Sequence, residues 1–180
     1  MKNILSFILT FVIFSAVAFA QTNVKPAASS EGTLKKHSIE IQKVIKTEKG
    51  VIRGYDFGTS EEEIRKTEDA KLEADGRNFL IYKVEIDKNE YAEIIYYLDA
   101  NKKVSGFGIA FIETLGLKAE ESLIDDFQSY FNERYGKFTV NEKNDEVWTS
   151  KDGSYFIEMG DSSEGGDLIE IEIEFYQKKK

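Results

Sequence analysis

Near the C-terminal end apolar and charged residues alternate: Ile169, Ile171, Ile173 and Phe175 are interleaved with Glu170, Glu172 and Glu174. A period of two is that of a strand with one buried face. The same alternation occurs at Leu80, Tyr82, Val84 and Ile86, and again at Ala92, Ile94, Tyr96 and Leu98. It returns at Phe107, Ile109 and Phe111, whose opposite side is Gly106, Gly108 and Ala110. The connections at 87–90 and 99–102 are too short for parallel crossovers, so these three strands predict an antiparallel meander. Two further strands, near 146–149 and 154–159, are joined by Asp152-Gly153, a hairpin-turn pair, and a last one covers 168–176.

Helical spacing appears in two places. Leu123, Phe127, Tyr130, Phe131 and Arg134 fall at i, i+4, i+7, i+8 and i+11, with Gly136 placed to end the helix. Ser60 followed by Glu61, Glu62 and Glu63 is a capping box, its acids at the positive end of the helix dipole. This helix is expected to run to about Ala74 and stop at Gly76, burying one narrow edge of Ile64, Ala70, Leu72 and Ala74. Ile39 and Ile41 alternate with polar neighbours and predict a first strand over 38–47, followed by a loop at Gly50 and Gly54. The expected fold is α+β, an antiparallel sheet with two helices packed on one face. Helix and three strands occur twice, so tandem repeat halves at 55–113 and 119–177 stand beside the reading of a plain α+β domain.

The chain opens with Lys2, an apolar run from Ile4 to Phe19, and Ala18-Phe19-Ala20, which together predict a signal peptide over 1–20. The run is at the short end for crossing a ~30 Å hydrocarbon core and has no basic flank after it. Position 21 is Gln rather than Cys, so lipid attachment is not expected, and the protein should be exported and soluble, periplasmic or extracellular. Residues 21–36 are polar and small and hold the only Pro, which predicts a disordered tether ahead of a domain at 37–180. His37, beside Lys35 and Lys36, reads as a solvated residue.

Charge and inventory narrow the chemistry. The 33 acidic residues outnumber 24 basic ones, giving a net charge of −9, so the positive footprint that duplex nucleic acid or anionic membrane requires is missing. Without Cys and with one His, thiolate chemistry, disulfides and histidine-rich zinc sites are excluded. A Ser-His-Asp arrangement would need His37 at the edge of the tether. No two acids stand out in an apolar setting that would raise one pKa for glycoside cleavage. Gly106 and Gly108 lie inside a strand and Gly165-Gly166 before one, whereas phosphate cradles open a helix. No catalytic, cofactor-binding or metal-binding residue is predicted, and the protein is expected not to be an enzyme. The acidic loop 161–167 carries oxygen ligands and two glycines but lacks EF-hand spacing. It leaves a calcium-binding exported protein as an alternative reading, next to a small hydrolase.

The stretch Arg53-Gly54-Tyr55-Asp56-Phe57-Gly58-Thr59-Ser60, running into Glu61, Glu62, Glu63 and Ile64, resembles the opening of small exported bacterial domains. These are similar to the β-lactamase-inhibitor-protein-like domains and to the small outer-membrane assembly lipoproteins of the SmpA/OmlA type. Tyr135-Gly136-Lys137, then Trp148 and the strand after it, resemble the same layout. The resemblance implies a helix-on-sheet fold and a binding role. The chain departs from it in having neither the lipoprotein Cys nor the paired cysteines of the inhibitors.

With Val84, Tyr96, Phe107, Ile171 and Ile173 facing the core, alternation sends Glu93, Ile95, Tyr97, Glu158, Glu170, Glu172, Glu174 and Tyr176 to the other side, with Lys83 and Glu85. Acids interspersed with Tyr and Ile form a docking surface for a protein partner with a basic surface. An ordinary solvated face is the competing reading. The function expected is that of an exported, non-enzymatic binding or envelope accessory protein.

Overall fold

The computed structural model describes residues 32–87, 90–113, 117–161 and 169–178. Eight strands form one antiparallel sheet: β1 Lys71–Asp75, β2 Phe79–Asp87, β3 Glu90–Leu98, β4 Val104–Glu113, β5 Thr139–Val140, β6 Glu146–Thr149, β7 Tyr155–Asp161 and β8 Ile169–Gln177. Their spatial order is β1-β2-β3-β4-β8-β7-β6-β5, so two meanders meet where β4 pairs with β8. Among the described residues three α-helices complete the α+β fold: α1 Ile39–Ile45, α2 Glu61–Thr67 and α3 Leu117–Tyr135. No helix among the described residues is long and apolar enough to cross a membrane.

The alternating positions of the strands supply the core. Leu80, Tyr82, Ile94, Tyr96, Phe107, Ile109, Ile171, Ile173 and Phe175 are all buried. Onto them α3 places Phe127, stacked on Phe131 and set edge-on to Phe111. Phe131 in turn meets Trp148 of β6 and Phe175 of β8. The stripe therefore ties both meanders to one helix, which ends at Gly136 with φ of 94°, a left-handed conformation suited to glycine.

Four expectations are corrected. Residues 38–47 hold helix α1 rather than a strand: Ser38 caps it by accepting from the Ile41 N–H, and Ile41, Val44 and Ile45 share the buried side at helical spacing. The second helix keeps its capping box, with Ser60 Oγ accepting from the Glu63 N–H, but ends at Thr67. Its expected final turns are the edge strand β1, exposed at every position and so without the alternation that marks a half-buried strand. Leu34–Lys36, expected inside the tether, form a 3-10 turn with Leu34 packed on the core. His37 is buried rather than solvated, its Nδ1 lying 2.7 Å from Asp126 Oδ1 on α3 and its ring edge-on to Tyr130.

Why α2 stops is visible in its neighbour. Glu68, the C-cap, has extended backbone and a fully buried carboxylate that accepts from Arg53 Nε at 3.0 Å and Nη2 at 2.8 Å. The Tyr96 hydroxyl of β3 donates to the same carboxylate at 2.6 Å, and Arg53 Nη1 donates to the carbonyls of Lys43 and Val44. One buried ion pair thus fastens the end of α1, the loop at 50–59, the end of α2 and the sheet. Continuing α2 would pull Glu68 away from this fork.

Candidate functional site

Five of the residues expected on the outer sheet face, Glu93, Ile95, Glu158, Glu172 and Glu174, fall in two adjacent rows of the register. Backbone register runs from Ile81 through Ile95, Gly108, Glu174 and Glu158 to Val147, and next to it from Lys83 through Glu93 and Ala110 to Glu172 and Gly160. Tyr97 and Tyr176 flank Gly106 in a third row. Glu170 stands opposite Ile112 in the register. Glu172 and Glu174 are exposed, whereas Glu93, Ile95, Tyr97, Glu158 and Tyr176 are half-buried.

The half-burial comes from the centre of the face. Because β4 presents Gly106, Gly108 and Ala110 outward, it offers nothing larger than one methyl group to the surface there. The Tyr97 ring lies across the gap: a Cβ on Gly106 would sit 3.2 Å from its Cδ2, and one on Gly108 would sit 3.4 Å from its hydroxyl. Covering strand glycines with a cross-strand aromatic ring recovers packing that glycine forfeits. The ring reaches β8, where its hydroxyl donates to Glu174 Oε1 at 3.2 Å. Burial, and then the negative charge of Glu174, push the Tyr97 hydroxyl up to about 12, so it remains a donor.

Acids gather on the far side of that hydroxyl. Glu158 on β7 is the direct partner of Glu174 on β8, a like-charge pair in adjacent strands. Burial raises the Glu158 carboxyl above its ordinary range, and Asp145 and Glu174 push it further, while a hydrogen bond involving Asn141 opposes them. Asp145 leans over Gly160, where an added Cβ would meet its Oδ1 at 2.6 Å. Of the cations around this face, Lys143 acts on Glu158 and partly offsets the two acids, whereas Lys83 lies over the Tyr91 ring at 3.9 Å and Lys178 over Phe156 at 5.7 Å.

Sequence reasoning identified the rows but missed Asp145 and the consequence of the small residues on β4. The signal was present in three small residues alternating within one strand. The polar pairs behind the sheet, Arg53 with Glu68 and His37 with Asp126, were also missed, because each joins residues that only the fold brings together. His37 Nε2 is buried without a hydrogen-bond partner, so no hydroxyl of the described residues stands at it as a nucleophile would. No group of three or more metal-ligating side chains occurs among the described residues, and most of the acidic loop 161–167 lies outside them. Compared with known protein families, curated proteins and solved structures, the chain matches none.

Proposed function

We propose that this is an exported, non-enzymatic binding or envelope accessory protein that engages a basic protein surface through its acidic, Tyr-containing sheet face. The observation that carries this reading is the direct cross-strand pairing of Glu158 with Glu174. Like charges opposite one another destabilise a sheet, and Asp145 adds a third carboxylate to the cluster. A cationic partner would relieve that repulsion on docking. The rigid Tyr97 and Ile95 beside the acids supply apolar contact at little cost in ordering. In this reading the helices occupy the opposite face, which the packing of α3 residues on Phe111, Trp148 and Phe175 supports. A tandem duplication is supported by the strand order, in which four strands from each half mirror one another about the β4 and β8 junction.

Pull-down from an envelope fraction with the full chain supplies the partner. Surface plasmon resonance at two ionic strengths then compares the parent with the Glu158→Gln, Glu172→Gln, Glu174→Gln variant. The variant is expected to associate more slowly and with a flatter salt dependence, since steering follows the summed field. Unchanged kinetics at both salt concentrations would make the face merely solvated.

A further inference from the structure

The register row that flanks the acids on the outer face is aromatic on every strand it crosses but β4. It runs from Phe79 on β2 through Tyr97, Gly106 and Tyr176 to Phe156 on β7, and each of the four rings is half-buried. Ile81 and Ile95, also half-buried, extend this strip into the next row on the β2 and β3 side. Large apolar side chains left part-exposed in one contiguous strip mark a recognition surface.

Two rings of this face already hold a cation. Lys83 Nζ lies 3.9 Å from the centre of the Tyr91 ring, and Glu93 stands directly opposite Lys83 in the register. Lys178 Nζ lies 5.7 Å from the centre of the Phe156 ring. The ring quadrupole attracts a cation over its face, and a carboxylate beside it adds to the attraction.

The middle of the row repeats this arrangement without the cation. The Tyr97 ring runs along β4 from Gly106 toward Gly108, and its hydroxyl donates to Glu174, the register partner of Gly108. Because β4 lies beneath the ring, its exposed part is turned to solvent, and no side chain stands between it and Tyr176 at Gly106. Among the described residues no Lys or Arg lies over Tyr97 or forms an ion pair with Glu174.

We propose that this place receives an arginine of the protein partner, its guanidinium plane on the Tyr97 ring and its N–H groups on Glu174. The inference rests on the reading of the sheet face as the surface that binds a basic protein, and it names the side chain recognised. A lysine ammonium is a compact, strongly hydrated charge, whereas a guanidinium stacks on a ring and presents a fork of donors to a carboxylate at the same time.

The test is a two-dimensional NMR titration of the full chain with short peptides of Gly and Ser around one central Arg, Lys or citrulline, and with cellotetraose as a neutral glycan. The Arg peptide is expected to shift the amides of Gly106, Gly108 and Glu174 saturably, to bind about fivefold more tightly than the Lys peptide, and about tenfold more tightly than the uncharged citrulline peptide. Tyr97→Leu should bring the Arg peptide down to the affinity of the Lys peptide. If that variant does not fold, Glu174→Gln supplies the same reading, since losing the fork should also erase the preference for Arg. Equal binding of the Arg and Lys peptides by the parent, lost for both in the Glu158→Gln, Glu172→Gln, Glu174→Gln variant, would overturn the arginine assignment while leaving a basic partner in place. Tighter binding of cellotetraose would overturn it by assigning the aromatic row to a glycan. Absence of saturable shifts with every peptide would overturn it as well, whereas the broader reading stands or falls on the kinetics of the pulled-down partner.

Discussion

Arg53 and Glu68 face each other as a two-pronged pair, Nε and Nη2 on the two oxygens of a carboxylate with no exposed side-chain surface. Removing one member of such a pair leaves the other buried and uncompensated. Glu68→Ala should therefore destabilise the fold by about 3 to 5 kcal/mol in urea unfolding. Burial alone would raise this carboxyl, but the bonds from Arg53 and Tyr96 outweigh it and hold it at about 2 in place of 4.5. The stability it contributes is complete above about pH 4.5 and is lost as pH falls toward about 2. In Glu68→Gln, the dependence of the urea midpoint on pH should flatten within that window. An unaltered profile would show that the pair does not govern acid stability.

Phe127 is wholly buried between Phe111 and Phe131. Phe127→Ala should cost about 3 to 5 kcal/mol, a large share of the stability of an ordinary domain. Chemical denaturation with an unchanged m-value would confirm a native-state loss. A cost below ~1 kcal/mol would mean that α3 contributes little to holding the sheet.

The elements that sequence reasoning placed well are those whose one buried face writes its period into the chain. Strands β2, β3, β4 and β8 and helix α3 all bury long, regularly spaced apolar sets. In α1, Ile39 is more than half exposed while Ile41, Val44 and Ile45 are buried. Over so short a segment the pair Ile39 and Ile41 imitates strand alternation, and Ser38 as a cap was the better guide. The end of α2 was illegible for another reason: Glu68 is a good helix former whose position is decided by Arg53, a contact local propensity does not contain. On the outer face, alternation located the acids, but only register could show that Glu158 and Glu174 are direct partners.

Substitution at Gly106 tests the packing of Tyr97. An added Cβ approaches Tyr97 Cδ2 at 3.2 Å and the Phe175 carbonyl oxygen at 3.3 Å, so Gly106→Val must displace the ring. A loss of about 1 to 3 kcal/mol is expected. Near-ultraviolet circular dichroism should change as the tyrosine moves, and thermal unfolding gives the loss. A variant as stable as the parent would show that the ring does not depend on the bare strand beneath it.

His37 couples the segment before α1 to α3 through Asp126. Asp126→Ala removes the acceptor of both His37 and the Ser38 N–H, and should cost about 1 to 3 kcal/mol through the donors it strands. Hydrogen exchange should also rise selectively in α1. Uniform protection across α1 and α3 in the variant would show that the pair is dispensable for docking the two helices.

The meeting of β4 with β8 at the middle of the sheet has a consequence for how the molecule is assembled in time. Each meander closes over short connections, but Glu113 must find Ile169 across 55 intervening positions of chain. The seam is therefore the high-contact-order step, and it exposes the bare edges of β4 and β8 until it closes. Those edges belong to strands carrying Phe107, Ile109, Ile171 and Ile173, so neither meander is a comfortable endpoint alone. A chain divided after Glu113 should behave as two complementary pieces, each prone to self-association alone and soluble once mixed with the other.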